Sequence, residues 1–149
     1  MRLVTIIVSL LATTGCVMTD PPTALPPIAS EVNEVRVIAK VGCDQPNSGT
    51  GDLCGVIADP ARIERVIAFI NARPNRWNTP WAGAPIHPVH IQFYRDGEFV
   101  ESFGIASTSF ERQTFLSRPA TRSEVDEALA LVELNRSYLR HRMEDPVPE

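Results

Sequence analysis

Residues 89–105 constrain the fold more than any other stretch. Val89, Ile91 and Phe93 alternate with His90, Gln92 and Tyr94; beyond Arg95-Asp96-Gly97, Phe99, Glu101, Phe103 and Ile105 hold the odd positions. Successive side chains of a strand point to opposite faces, so this pattern reads as a β-hairpin with one face in a core. The turn sets the register. A two-residue Asp96-Gly97 turn would pair Phe93 with Val100. A three-residue turn, with Gly97 left-handed in a bulge, pairs Phe93 with Phe99 and Val89 with Phe103. That second register gathers Val89, Ile91, Phe93, Phe99, Phe103 and Ile105 on one face. Because a one-residue slip turns every side chain over, burial predicts the three-residue turn. Glu101 is the charged member of this face. A buried carboxylate is costly unless paired, so an Arg partner or a place at the sheet margin is expected.

The other elements follow from their own patterns. Val35, Val37, Ala39 and Val41 alternate with Arg36, Ile38 and Lys40, a strand. After a turn-rich stretch from Gly42 to Gly55 comes a short apolar Val56-Ile57. Asp59-Pro60 supplies an N-cap and a first-turn proline, and Ile63, Val66, Ile67 and Ile70 form one helical stripe. A further strand is expected around Glu111 to Leu116. Thr121-Arg122-Ser123-Glu124 reads as a capping box. It opens a long helix carrying Val125, Leu129 and Val132 in one stripe and Leu131, Leu134 and Tyr138 in another. Arg136, Arg140 and Arg142 suit its C-terminal end. The sum is a small α+β two-layer sandwich, an antiparallel sheet with two helices packed on it. The 149 residues suffice for one domain, and 44% hydrophobic with 21% charged residues is the balance of a globular chain. A formal charge of −4 gives no basic footprint, which argues against nucleic acid as a partner.

The N-terminus reads as an address. Arg2 precedes a mostly apolar run that ends in Thr13-Thr14-Gly15-Cys16. The run is shorter than the roughly 20 apolar residues that a membrane-crossing helix needs, and its small-residue end is that of a signal peptide. With Gly15-Cys16 the segment resembles the lipobox of bacterial lipoproteins, in which a small residue precedes the lipidated cysteine. Thr13 stands where that family usually carries Leu, and ordinary signal-peptidase cleavage after Thr14 or Gly15 is the alternative. The resemblance covers residues 1–16. It implies that residues 1–15 are removed, that Cys16 is acylated and anchors the chain to a membrane, and, with Val17 rather than Asp after the cysteine, an outer-membrane location facing the periplasm.

Residues 17–30 hold Pro21, Pro22, Pro26 and Pro27 without apolar periodicity and read as an extended tether. The folded domain is expected over 31–143, with a frayed tail at 144–149. Of the three cysteines, lipidation of Cys16 leaves Cys43 and Cys54, which can pair as a disulfide in an oxidising compartment. Asp44, Asn47 and Asp52 between them lack the alternation and closing Glu of a calcium loop.

The segment 73–88 carries both tryptophans, Trp77 and Trp81, among Pro74, Pro80, Pro85 and Pro88. Two readings compete: a recognition loop whose indoles meet a partner, or indoles folded back to cap the core. His87 and His90 are three apart with Pro88 between, which on a strand places them on opposite faces and speaks against a metal site. No zincin, nucleophile-elbow, P-loop or C-x-x-C pattern is present, and no cofactor is implied. The expected function is a non-catalytic, lipid-anchored envelope protein that binds another protein through Trp77 and Trp81. The alternatives are a small cell-wall or glycan-active enzyme using Glu101 with a second carboxylate, and a purely structural envelope lipoprotein.

Overall fold

The computed structural model describes residues 24–40, 43, 45–47, 51–79, 86–113 and 116–139. Cys16, Trp81 and the expected C-terminal tail lie outside them. Among the described residues seven strands form one sheet: β1 Glu34–Ala39, β2 Gln45–Asn47, β3 Gly51–Ile57, β4 Val89–Arg95, β5 Glu98–Ile105, β6 Ser109–Arg112 and β7 Leu116–Pro119. Their order is β2-β3-β1-β4-β5-β6-β7, and every neighbouring pair is antiparallel. The helices α1 Pro60–Asn71 and α2 Arg122–Leu131 give the α+β arrangement of the described residues. No helix among the described residues is long and apolar enough to cross a membrane.

Val35, Val37 and Ala39 of β1, Val89, Ile91 and Phe93 of β4, and Phe103 and Ile105 of β5 are buried together with Ile63, Val66, Ile67 and Ile70 of α1 and Val125, Ala128 and Leu129 of α2. This is the layer interface that period-two strands and 3.6-residue helices define. Phe69, Phe103 and Phe110 meet in its middle, with ring centroids 4.9–6.5 Å apart.

α1 begins as expected. The Asp59 side chain accepts from the Arg62 N–H, and Pro60 occupies the first turn. At α2 both halves of the capping box form: the Glu124 N–H donates to Thr121 Oγ1 at 3.2 Å, and the Thr121 N–H donates to Glu124 Oε2 at 2.8 Å.

Five expectations need correction. The β4–β5 turn has two residues, not three: Asp96 and Gly97 take φ of 52° and 83°, the double left-handed geometry whose twist matches a hairpin. A bulge between Phe93 and Tyr94 in the register then restores the inward alternation, pairing Phe93 with Glu101, Ile91 with Phe103 and Val89 with Ile105. Phe99 therefore opposes Tyr94 and faces outward.

α2 stops at Leu131 rather than running on. Glu133, at φ 61°, takes the left-handed position; the Leu134 N–H donates to the Leu129 carbonyl and the Glu133 N–H to that of Ala130, closing the helix. Arg136 then turns back to bond the Arg122 carbonyl from a short 3-10 turn, Arg136–Leu139.

The stretch expected as one strand near 111–116 is a hairpin, β6–β7, and the turn-rich stretch before Val56 supplies β2 and most of β3.

The packed unit also starts before Glu31. Leu25 and Ile28 are buried, the Leu25 N–H donates to the Pro74 carbonyl, and the Asn71 side chain grips Ile28 through both its N–H and its carbonyl. Proline removes donors from this segment, but Leu25, between Pro22 and Pro26, and Ile28, just after Pro27, find a place against the core.

A carboxylate at the start of α2 ties the layers together. Glu124 receives Arg73 Nε at 3.2 Å and Arg118 Nη2 at 3.0 Å. Burial pushes its carboxyl up, but the Thr121 N–H and the two guanidiniums outweigh that and hold it at about 2. The depressed value means a contribution to stability that is fully present above the ordinary value of 4.5 and lost as pH falls from there toward about 2. The ceiling is about 3 kcal/mol at ~1.4 kcal/mol per unit. With 20% of the Glu124 side chain exposed, solvent screening brings it to on the order of 1–2 kcal/mol. Urea unfolding of Glu124→Gln should show that deficit at pH 7 and little difference from the parent near pH 2.5. An equal deficit at both pH values would mean that the ion pairs contribute nothing.

Candidate functional site

Cys43 and Cys54 form a disulfide with a Cα–Cα distance of 4.9 Å. It closes a small loop at the β2–β3 edge, a staple of the kind that contributes about 3 kcal/mol by restricting the unfolded chain. It lines a cavity of about 250 Å³ with Val37, Ile57, Arg62, Leu134 and Tyr138. Arg62 and Glu133, bonded at 2.9 Å, also border a cavity of about 330 Å³ between α1 and α2.

Trp77 is a core residue. Its indole is fully buried, its Nε1–H donates to the Arg73 carbonyl at 2.9 Å, and its ring meets Phe103 edge-on at 6.5 Å. The expectation that Trp77 contacts a partner is corrected: burial of a large apolar ring with its one donor satisfied outweighs exposure. The chain beside it also seals a sheet edge. Asn78 and Ser117 exchange backbone hydrogen bonds of 2.8–2.9 Å, capping β7. Trp81 lies outside the described residues.

Glu101 is spent in an ion pair. Arg112 Nε and Nη2 reach its two oxygens at 2.6 and 2.9 Å, and Arg112 Nη2 also donates to the Pro26 carbonyl at 3.0 Å. Glu101 lines neither of the two cavities above.

The face of the sheet opposite the helices divides into two halves, which the registers define. Near the β4–β5 turn, Glu34, Tyr94 and Phe99 form one row, and Val56, Arg36, Gln92 and Ser102 the next. This half is open: Phe99 is 57% exposed and Val56 52%. The Tyr94 and Phe99 rings meet edge-on at 5.8 Å, the Arg36 guanidinium lies 4.2 Å from the Tyr94 ring centre, and Glu34 holds Arg36 at 2.6 Å. Side chains that would wander singly are held here as one aromatic and cationic platform.

The other half carries the row Ile38, His90, Gly104 and Glu111. Over it lies the segment entering β4, where the Lys40 N–H donates to the Pro88 carbonyl and His87 is buried. Gly104 makes the room: a Cβ there would come within 2.9 Å of the His87 Cβ. Ser109 Oγ is 3.3 Å from His87 Nε2, and His87 Nδ1 is 3.0 Å from Glu111 Oε2. Burial pushes the Glu111 carboxyl up; burial also pushes His90 down, against its hydrogen bond to the His87 backbone. His87 and His90 thus share this side of the sheet, because His87 lies outside the strand and reaches over Gly104 and Glu111. No group of three His, Cys, Asp or Glu among the described residues is placed to hold a metal ion.

Neither half was picked out from the sequence. The alternation Ser109-x-Glu111 was its only signal for the second, and Tyr94 opposite Phe99 needed the correct turn.

No protein-family model, no curated protein and no solved structure matches the chain.

Proposed function

We propose that the chain is a lipid-anchored protein of the bacterial cell envelope, held through Cys16 with a lean toward the outer membrane facing the periplasm, whose folded domain docks another envelope protein. The observation that carries the docking is the open half of the sheet face, where Phe99, Val56, Tyr94 and Arg36 stand uncovered by either helix. Exposed apolar side chains joined to an aromatic and an arginine are the composition of interface hot spots. The Cys43–Cys54 disulfide supports an oxidising compartment. The apolar run closed by Gly15-Cys16 supports the anchor. The partner that fits is a protein with an apolar, weakly charged patch, since Arg36 is already neutralised by Glu34.

The full chain in its own envelope, with a photo-crosslinking amino acid in place of Gln92, tests the reading. It should give one discrete adduct with a different protein, and Phe99→Asp with Val56→Asp should abolish that adduct while the melting temperature stays within a few degrees. Cys16→Ser should shift the protein from the membrane to the soluble envelope fraction. An adduct containing only two copies of this chain, or an adduct indifferent to the two aspartates, would refute the docking face; an unlipidated wild-type N-terminus would refute the anchor.

A further inference from the structure

We infer that Ser109 is an activated nucleophile, with His87 as its base and Glu111 as the positioning residue, and that the covered half of the sheet face is an esterase-type site for small acyl groups. This goes beyond partner docking and stands on different residues.

Hydroxyl, imidazole and carboxylate follow one another, with Ser109 Oγ 3.3 Å from His87 Nε2 and His87 Nδ1 3.0 Å from Glu111 Oε2, the second a contact of distance and charge and not an aligned hydrogen bond. This is the relation that turns a weak hydroxyl nucleophile into a useful one: base within reach of the nucleophile, and the base oriented by a third group. The backbone builds it economically. Ser109 and Glu111 are two apart on β6, so they share one face, and their spacing brackets an imidazole. Gly104 on the adjacent strand leaves the space in which the ring lies. The negative charge of an ionised Glu111, 3.0 Å from Nδ1, favours the tautomer with the proton on Nδ1, which leaves Nε2 as the acceptor toward Ser109. The charged or titratable groups around the ring are Glu111 of β6, His90 of β4 and, beyond β1, Lys40, which bears on His90. Ser109 is only partly buried, and Ser107 and Thr108, which lead into it, are exposed, so its hydroxyl is approached from the β5–β6 turn. His87 lies so close to Gly104 that a Cβ there would come within 2.9 Å of its own, and its side chain is fully buried, which suits a small acyl group rather than a long chain.

The chemistry balances without another reactant than water. Ser109 Oγ adds to the ester carbonyl carbon as its proton passes to His87 Nε2. The carbonyl re-forms, the C–O bond to the alcohol breaks, and the departing oxygen takes the proton from Nε2. Water then adds to the acyl-Ser109 carbonyl, giving a proton to Nε2, and the carboxylic acid leaves as Oγ regains it.

A fluorophosphonate probe reads the nucleophile directly, because Oγ displaces fluoride and retains the phosphorus. The full-length protein should be phosphonylated on one peptide, at Ser109. Ser109→Ala, which deletes one oxygen, should remove the label with the melting temperature preserved, and His87→Gln should slow labelling about 100-fold or more. Glu111→Gln should slow it about tenfold or more and move the acid limb of the rate to lower pH, because an imidazolium beside a neutral amide loses its proton more readily; a merely structural contact would leave that limb in place. Nitrophenyl acetate should give a burst of about one nitrophenolate per chain. A folded wild-type protein that takes no label, or a label that persists in Ser109→Ala, overturns the inference.

Discussion

Trp77→Ala should lower the unfolding free energy by about 3–5 kcal/mol, the range for deleting a buried large aromatic side chain. The indole is fully enclosed, stands edge-on to Phe103, and lies with its ring centre 5.9 Å from the Arg112 guanidinium. Alanine would leave a cavity at the junction of sheet, α1 and the capping chain, and would also strip the Arg73 carbonyl of the Nε1–H that it accepts. Trp77→Phe separates these terms: most of the packing returns and the hydrogen bond does not, so its loss should be intermediate. For a domain whose whole stability is about 5–15 kcal/mol, the alanine variant should melt far below the parent. Urea titrations of the two variants measure the difference. A Trp77→Ala protein within about 1 kcal/mol of the parent would mean that the indole does not belong to the core.

That same residue shows where the sequence stopped being informative. The elements with a strong local signal were legible: the alternation through Val89–Phe93 and Phe103–Ile105, the Asp59-Pro60 start of α1 and the Thr121–Glu124 box of α2 each state their conformation within a few residues. Trp77 has no such signal, because a single aromatic in a proline-rich connection packs inward or outward according to contacts far along the chain, here Phe103. The turn of the β4–β5 hairpin failed for a related reason. Counting apolar side chains favoured placing Phe99 inside, but Asp96-Gly97 adopts the two-residue turn easily and a bulge absorbs the odd residue, so turn chemistry won and Phe99 went out. The end of α2 was hidden because a glutamate, not a glycine, takes the left-handed closing position.

The site was less legible than the fold. Cys43–Cys54 followed from parity, but His87, Ser109 and Glu111 meet only because β5 and β6 are adjacent and Gly104 leaves a slot between them. A sequence separation of 22 residues between His87 and Ser109 carries no local pattern. The open face likewise needs three strands in register before Val56, Arg36 and Gln92 can be seen as one row. Local patterns report which face of an element is apolar; they say little about which polar side chains from separate elements are brought together.

The expected pairing of Glu101 is the exception, and it yields the second large effect. Arg112 is 1% exposed, and its charge is met by both oxygens of Glu101, with the Pro26 carbonyl taking a further N–H. Glu101→Ala removes the counter-charge and leaves a guanidinium that cannot shed its proton, so the loss should be about 3–5 kcal/mol. The pair itself is worth much less than that figure, because burying both ions has its own desolvation cost. Replacing both groups by apolar ones of similar volume, Glu101→Leu with Arg112→Met, should therefore recover most of the loss. The Pro26 carbonyl sets the limit to that recovery, since the methionine offers it no donor. Urea unfolding of the two single variants and the double variant closes the cycle. If Glu101→Ala proves nearly neutral, or if the apolar pair is as unstable as the single variant, the ion pair is not what holds this end of β5 against β6 and the segment before β1.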